Sequence, residues 1–283
     1  VTSTEDGLVY KALQGHEPRT GIPTDVELSS QGVDQAKDLA NHLCSIEPPI
    51  DRIYSSPYTR CLQTLEPTTT KLFKEGKAGG KIRVEYGLGE FMGMSKFLHP
   101  TPPDLNTLKL HFENLDEEYE SKHRPYHHGE FIQDLHRRVE VTIKDIIESL
   151  DKEPGEPKTL LICTHAAVMI ALGRVLTGKN AKPDDSDEED FNCYVASLST
   201  FKRRLDTPGS VGSWDCKVDA DTSFLKSGPQ LNWYVFLISS VLLRVFPAVV
   251  HALSLSTTDR QTRTHTLSLF SNFLTFLKEF RNP

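Results

Sequence analysis

The sequence predicts an α/β protein: a mainly parallel sheet flanked by helices. Three observations carry that reading. Short β-favouring runs alternate with amphipathic helical runs along the first two thirds of the chain. The run "TLLICTHAAVMIALGRVL", Thr159 to Leu176, changes from a continuous apolar strand pattern to a helical one at a single polar residue, His165. Two other short strand-like runs, "DRIYSSP" and "KIRVEY", also end at polar, chemistry-bearing segments.

The elements follow in order. Val1 to Ser29 is rich in Thr, Gly and Pro without a clear period and reads mostly as loop, residues 1–19 being irregular. A helix follows from Ser30, with Val33, Ala36, Leu39, Ala40 and Leu43 at helical spacing. "DRIYSSP" is a strand leading into a second helix, with Ser56 as N-cap, Pro57 in the first turn and Pro67 as its end or kink. "KIRVEYGLGEF" is a strand leaving into a Gly-rich loop. Residues 92–128 form a polar insertion rich in Pro and acids. From Phe131 to Leu150 one face carries Phe131, Leu135, Val139, Ile143, Ile146, Ile147 and Leu150, an amphipathic helix. "DKEPGEPK" is a surface turn before the strand that ends at His165.

Beyond Leu176 the pattern weakens. "DDSDEED", Asp184 to Asp190, is a solvated loop in which Ser186 is a candidate phosphorylation site. Tyr194 to Phe201, Ser213 to Val218 and Thr222 to Leu225 read as short edge strands. Tyr234 to Leu255 is almost wholly apolar and long enough for a bilayer core of about 30 Å. Arg244 and Pro247 interrupt it, and a mid-span Arg costs at least about 2.5 kcal/mol. A packed helix or sequence outside the fold is therefore favoured over a membrane anchor. Leu267 to Phe280 is an amphipathic stretch that reads as a packed or partner-facing helix.

Composition narrows the function. The 283 residues carry a net charge of −7 and no basic stripe, so direct nucleic-acid binding has no electrostatic support. Five cysteines without a CxxC pair fit a reducing compartment, and no charged stretch followed by an apolar one opens the chain at Val1. His123, His127 and His128 match no closed zinc spacing. Gly79-Gly80 is a turn, since no Gly-Lys-[Ser/Thr] ending makes it a P-loop.

Arg60, Glu90 and His165 occupy the same topological position, each just past a strand. In a parallel sheet they converge at the carboxyl edge, where ligands bind. A guanidinium grips two oxygens of a phosphate, a helix N-terminus adds free N–H groups, a protonated imidazole donates, and a carboxyl group can protonate a leaving alkoxide. Taken singly, each has a plainer reading: a surface ion pair for Arg60, a loop carboxylate for Glu90, a core histidine for His165.

The same segments resemble the histidine phosphatase (phosphoglycerate-mutase-like) superfamily. "YSSPYTRCLQT" is similar to its S-S-P-x-x-R-x-x-x-T segment, and "THAAVMIALG" to its second histidine motif. "HGEFIQDLHRRV" matches a G-E-x-x-x-D-x-x-x-R helix start through Gly129, Glu130, Asp134 and Arg138. "TGIPTDVELSSQGVDQAKDLANHL" is similar to the family's first helix. Within the superfamily the likeness is to a phosphatase-like branch found in fungal transcription factor IIIC. It rests on "GLGEF", "THAAVMIALG" and "FLKSGPQLNW" and spans residues 20–233, leaving 234–283 outside the family pattern.

The resemblance implies a phosphomonoesterase without metal or cofactor. Arg60 and His165 would line the phosphate pocket, and Glu90 would donate the proton; mutase chemistry is the less favoured alternative. The family's nucleophile belongs to an Arg-His-Gly motif closing the first strand, and the chain contains none. "LQGHEPRTG" holds His16 and Arg19 in the wrong order, with no β-rich run before them. The resemblance therefore implies a missing first strand and an inactive or nearly inactive chain. Either the chain is truncated, or it is a non-catalytic relative that binds phosphate or acts as a protein-interaction subunit. The partners implied are a phosphorylated substrate or phosphate, and subunits of a transcription factor. The location implied is nuclear or cytoplasmic.

Overall fold

In the computed structural model, strands β3 (Arg52–Ser55), β4 (Ile82–Val84) and β5 (Thr159–Thr164) form a parallel ladder with β3 in the middle. The structure describes residues 2–4, 7–9, 18–22, 25–76, 80–94, 98–154, 159–180, 190–204, 206–207, 209–230 and 273–278. Tyr54 faces Arg83 on one side and Ile162 on the other. The order β4-β3-β5 continues through β8 (Phe273–Lys278) to β6 (Leu198–Arg203) and β7 (Trp214–Asp221). The predicted α/β class, a parallel sheet flanked by helices, is what the three strands β4, β3 and β5 show.

The reason "TLLICT" reads as a continuous apolar run is that both faces of β5 are covered. Leu160 and Ile162 join one cluster with Leu88, Val139, Ile143 and Leu172. Leu161 and Cys163, one residue out of phase, join the other with Leu39, Leu43, Leu62 and Leu65. Period-two alternation thus divides one strand between two cores, as expected for a parallel strand buried on both sides. Helices α1 (Ser30–Leu43) and α2 (Thr59–Lys74) supply the second cluster; α4 (Ile132–Asp151) and α5 (Ala166–Thr177) supply the first. A short helix, α3 (Leu105–Lys109), lies within the 92–128 insertion.

Several local expectations are corrected. Ser56 does not cap α2: the helix starts at Thr59, with Tyr58 at the N-cap and no cap bond from its side chain. The buried Asp25 carboxylate instead accepts from the Thr59 N–H (2.7 Å) and hydroxyl (2.6 Å), and from the Thr20 hydroxyl (2.8 Å). The cap thus comes from a residue 34 positions upstream, which no local pattern encodes. Asp25→Ala is expected to cost about 1–2 kcal/mol, read as a lower urea midpoint.

Pro67 does not end α2; the helix runs on through it to Lys74. Burial of Leu65, Thr68, Thr69 and Leu72 on either side of the proline holds both halves against the core. Val33, expected on the buried face of α1, is 38% exposed, while Gln35 takes a buried place. Residues 222–225 are a turn after β7, closed by the Leu225 N–H donating to the Thr222 carbonyl (2.9 Å).

The N-terminal stretch expected as loop contains a two-stranded antiparallel pair, β1 (Thr2–Thr4) and β2 (Gly7–Val9), consistent with β-branched Thr2, Thr4 and Val9. The Phe/Leu-rich stretch read as helical is a strand over 273–278. It runs antiparallel to β5 and parallel to β6, so neighbours on both sides satisfy its backbone groups. The apolar run 234–255, the acidic run 184–189 with Ser186, and His16 lie outside the described residues. Among those described, no helix is long and apolar enough to cross a membrane.

Candidate active site

The three polar residues singled out in the sequence meet. Arg60 stands in the first turn of α2, Glu90 follows the 3-10 turn Tyr86–Leu88 after β4, and His165 sits between β5 and α5. Arg60 is 3% and His165 2% exposed. One oxygen of Glu90, Oε2, takes both cations: Arg60 Nη2 at 3.0 Å and His165 Nδ1 at 3.1 Å. The other, Oε1, accepts from the Phe91 N–H at 3.0 Å. Arg60 Nη2 also lies 3.0 Å from His165 Nδ1.

Residues that local reading did not assign to the site complete it. Ser56 Oγ is 2.7 Å from His165 Nε2, so the residue expected to cap α2 orients the imidazole instead. The Tyr58 ring meets His165 edge-on at 5.3 Å and carries the Arg60 guanidinium over its face at 4.7 Å. Cys61, fully buried, places its Sγ 3.8 Å from His165 Nε2. The "SSPYTRC" segment thus supplies Ser56, Tyr58, Arg60 and Cys61 to one ring.

The electrostatics follow from this crowding. Burial would raise the Glu90 carboxyl, but His165 and Arg60 hold it down at about 2. Burial opposes a charge on His165, yet Cys61 and Glu90 lift its imidazole above the ordinary value. Burial likewise pushes the Cys61 thiol up, and Cys163, His165 and Arg60 together bring it well below the usual thiol range. As an imidazolium, His165 donates from Nδ1 to Glu90 and from Nε2 to Ser56.

The loop carrying Glu90 is clamped at three successive carbonyls. Arg138 Nη1 donates to Gly87 O (2.6 Å) and Gly89 O (3.1 Å), and Thr164 Oγ1 donates to Leu88 O (2.6 Å). Arg138 is itself paired with buried Glu130 through Nε at 3.0 Å and through a second, closer Nη2 contact. At Gly87 a Cβ would fall 2.3 Å from Thr142 Oγ1, so a side chain there would push the loop off α4.

Beside Glu90 a cavity of ≈ 50 Å³ opens between the loop and the insertion, with Tyr58, Tyr86, His99, Arg124 and Tyr126 in its walls. The insertion is tied to the sheet by Glu85, which is fully buried at the end of β4. Glu85 accepts from Tyr119 OH (2.6 Å), Ser121 Oγ (2.7 Å) and the N–H groups of Gly87, Lys122 and His123. Among the described residues, no group of three or more His, Cys, Asp or Glu side chains is placed to hold a metal ion.

The family description "Histidine phosphatase superfamily (branch 1)" matches residues 12–211. The chain belongs to the histidine phosphatase superfamily. The Transcription factor tau 55 kDa subunit of Saccharomyces cerevisiae (strain ATCC 204508 / S288c) is 30% identical over 237 residues, 77% of this chain and 53% of that protein. The chain thus spans about half the length of that curated relative. Two solved structures of similar outline are the ecdysone phosphate phosphatase of Bombix mori in complex with tungstate and mycobacterial hydrolase 2. The first is 20% identical at a TM-score of 0.49, covering 74% of this chain and 78% of that one. The second is 18% identical at 0.42, covering 77% and 88%. Within this histidine phosphatase domain, Arg60, Glu90 and His165 are brought together at the carboxyl edge of β3, β4 and β5.

Proposed function

We propose that this domain, taken as residues 20–233, binds phosphate monoesters, with Arg60 and His165 gripping the phosphoryl oxygens and Glu90 as the proton donor to the leaving oxygen. The observation that carries the reading is the convergence of a guanidinium, an imidazole and a carboxyl group on one buried point. Two fixed donors at a site that excludes water favour an oxyanion, and a carboxyl group beside them favours proton delivery to an alkoxide.

Covalent transfer to a histidine needs a positioned nucleophile, and no Arg-His-Gly occurs in these 283 residues. The chain is therefore expected to bind phosphate and to turn over p-nitrophenyl phosphate slowly or not at all. Arg60→Ala removes a charged donor and is expected to weaken orthophosphate binding by about 2–3 kcal/mol, on the order of 30- to 150-fold. Isothermal titration with orthophosphate measures it. Unchanged affinity in that variant would remove the reading, and turnover abolished by His165→Ala would show that the chain is a competent enzyme.

A second reading rests on the identity to the tau 55 kDa subunit. In it the domain is a nuclear interaction module of a transcription assembly, with its net charge of −7 suited to protein partners and not to DNA. Co-purification of assembly subunits with the tagged chain supports that reading; recovery of none counts against it.

A further inference from the structure

We propose that Glu90 is the resident anion of the Arg60–His165 pocket, and that a phosphate ester enters by displacing it, so that substrate binding and protonation of Glu90 are one linked step. The inference deepens the phosphate-binding reading above and rests on it.

The geometry shows the competition directly. A single atom, Oε2 of Glu90, receives both Arg60 Nη2 and His165 Nδ1, the two donors a phosphoryl oxygen would need. The carboxylate therefore stands where an oxyanion would stand. It is held there as an anion, since its two cationic neighbours keep its carboxyl group at about 2. A carboxylate is a poor proton donor at neutral pH, so the group in this position is loaded with the wrong charge for general-acid work.

Displacement corrects that. Once a dianionic phosphate takes Arg60 and His165, Glu90 loses both stabilising cations and faces a negative charge at close range. Like charge and burial then raise its affinity for a proton. The proton comes from solvent, and the neutral carboxyl group can donate it to the leaving oxygen. Because the acid is recharged only when phosphate arrives, an empty site stores no proton.

Other groups facing the pocket do not remove the effect. Cys61 on α2 and Tyr58 before it contact His165, not the Glu90 oxygens. Arg138 on α4 is engaged with Glu130 and the loop carbonyls. From the insertion, His99, Arg124 and His127 line the adjacent cavity together with Tyr86 and Glu130. Any change in their protonation is common to the wild type and a Glu90 variant. His165 is the exception, because Glu90 lifts its imidazole; its own titration, followed by NMR with and without sulfate in each protein, is subtracted, and the remaining difference belongs to Glu90.

Inorganic sulfate is the probe, because it is a dianion with no titratable proton near neutrality. Titration calorimetry of the full chain in buffers of different ionisation enthalpy, from pH 5 to pH 7, counts the protons taken up on binding. The wild type is expected to take up more protons than Glu90→Gln, with the difference growing toward pH 5, and to bind sulfate more tightly as pH falls. With the resident anion removed, Glu90→Gln is expected to bind about tenfold more tightly at pH 7. Glu90→Ala repeats the measurement without an amide that could itself hold sulfate. Equal proton uptake in wild type and both variants, or weaker binding in both, overturns the proposal. Sulfate binding that is absent in the wild type, or indifferent to Arg60→Ala, overturns the phosphate-binding reading as well.

Discussion

Arg138→Ala is expected to lower stability by about 3–5 kcal/mol, enough to halve the folding free energy of an ordinary domain. The size follows from what is left behind. Glu130 is 2% exposed and loses its bidentate partner, so a carboxylate remains buried with no cation. Two carbonyls of the Glu90 loop, Gly87 and Gly89, lose their donor in the same stroke. Urea denaturation measures the loss. The double variant Glu130→Leu/Arg138→Met removes both charges and is expected to recover a large part of it, because replacing a buried pair by apolar groups is often close to neutral. A double variant no more stable than Arg138→Ala would show that the carbonyl contacts, not the stranded charge, dominate.

Glu85→Ala is expected to have an effect of similar size, about 3–5 kcal/mol, but with a different footprint. Five donors converge on this one carboxylate, three of them backbone N–H groups that have few alternatives. Without it the segment Tyr119–His123 keeps only the Tyr86 N–H bond to Ser121 Oγ (3.0 Å) as a hydrogen bond to the end of β4. Limited proteolysis is expected to cut the variant within that segment before the sheet unfolds. Tyr119 registers the same contact: burial and the Glu85 carboxylate hold its phenol far above the ordinary range. Cleavage no faster than in the wild type would show that the insertion is held by other contacts.

The parts legible in the sequence are those set by periodicity. The change of pattern at His165 located a strand-to-helix junction, and two further junctions placed Arg60 and Glu90 at the same edge. Those three meet within 3.1 Å of one another. The illegible parts are carried by contacts between residues far apart in the chain. Asp25 reaches across 34 positions to cap α2, and Arg138 across 51 to hold Gly87. Ser56 has the residue type of a helix cap and serves a histidine 109 positions away. Glu85, just past β4 and five residues before Glu90, gives no local sign that it will anchor an insertion. A capping rule sees only near neighbours, and burial of a polar residue is decided by donors that the fold imports.

The leaning of Cys61 on His165 has a use beyond electrostatics. A thiol sealed inside the protein reacts with a solvent reagent only while the surrounding structure is open. Its labelling rate is therefore a clock for the breathing of the pocket, set one atom's width from the imidazole that matters. The more exposed Cys44 and Cys216 are spent first, and Cys163 and Cys193 are buried like Cys61; with labelling assigned to each cysteine by peptide mapping, a Cys61 rate above that of Cys193 separates transient gaping of the site from unfolding of the whole chain.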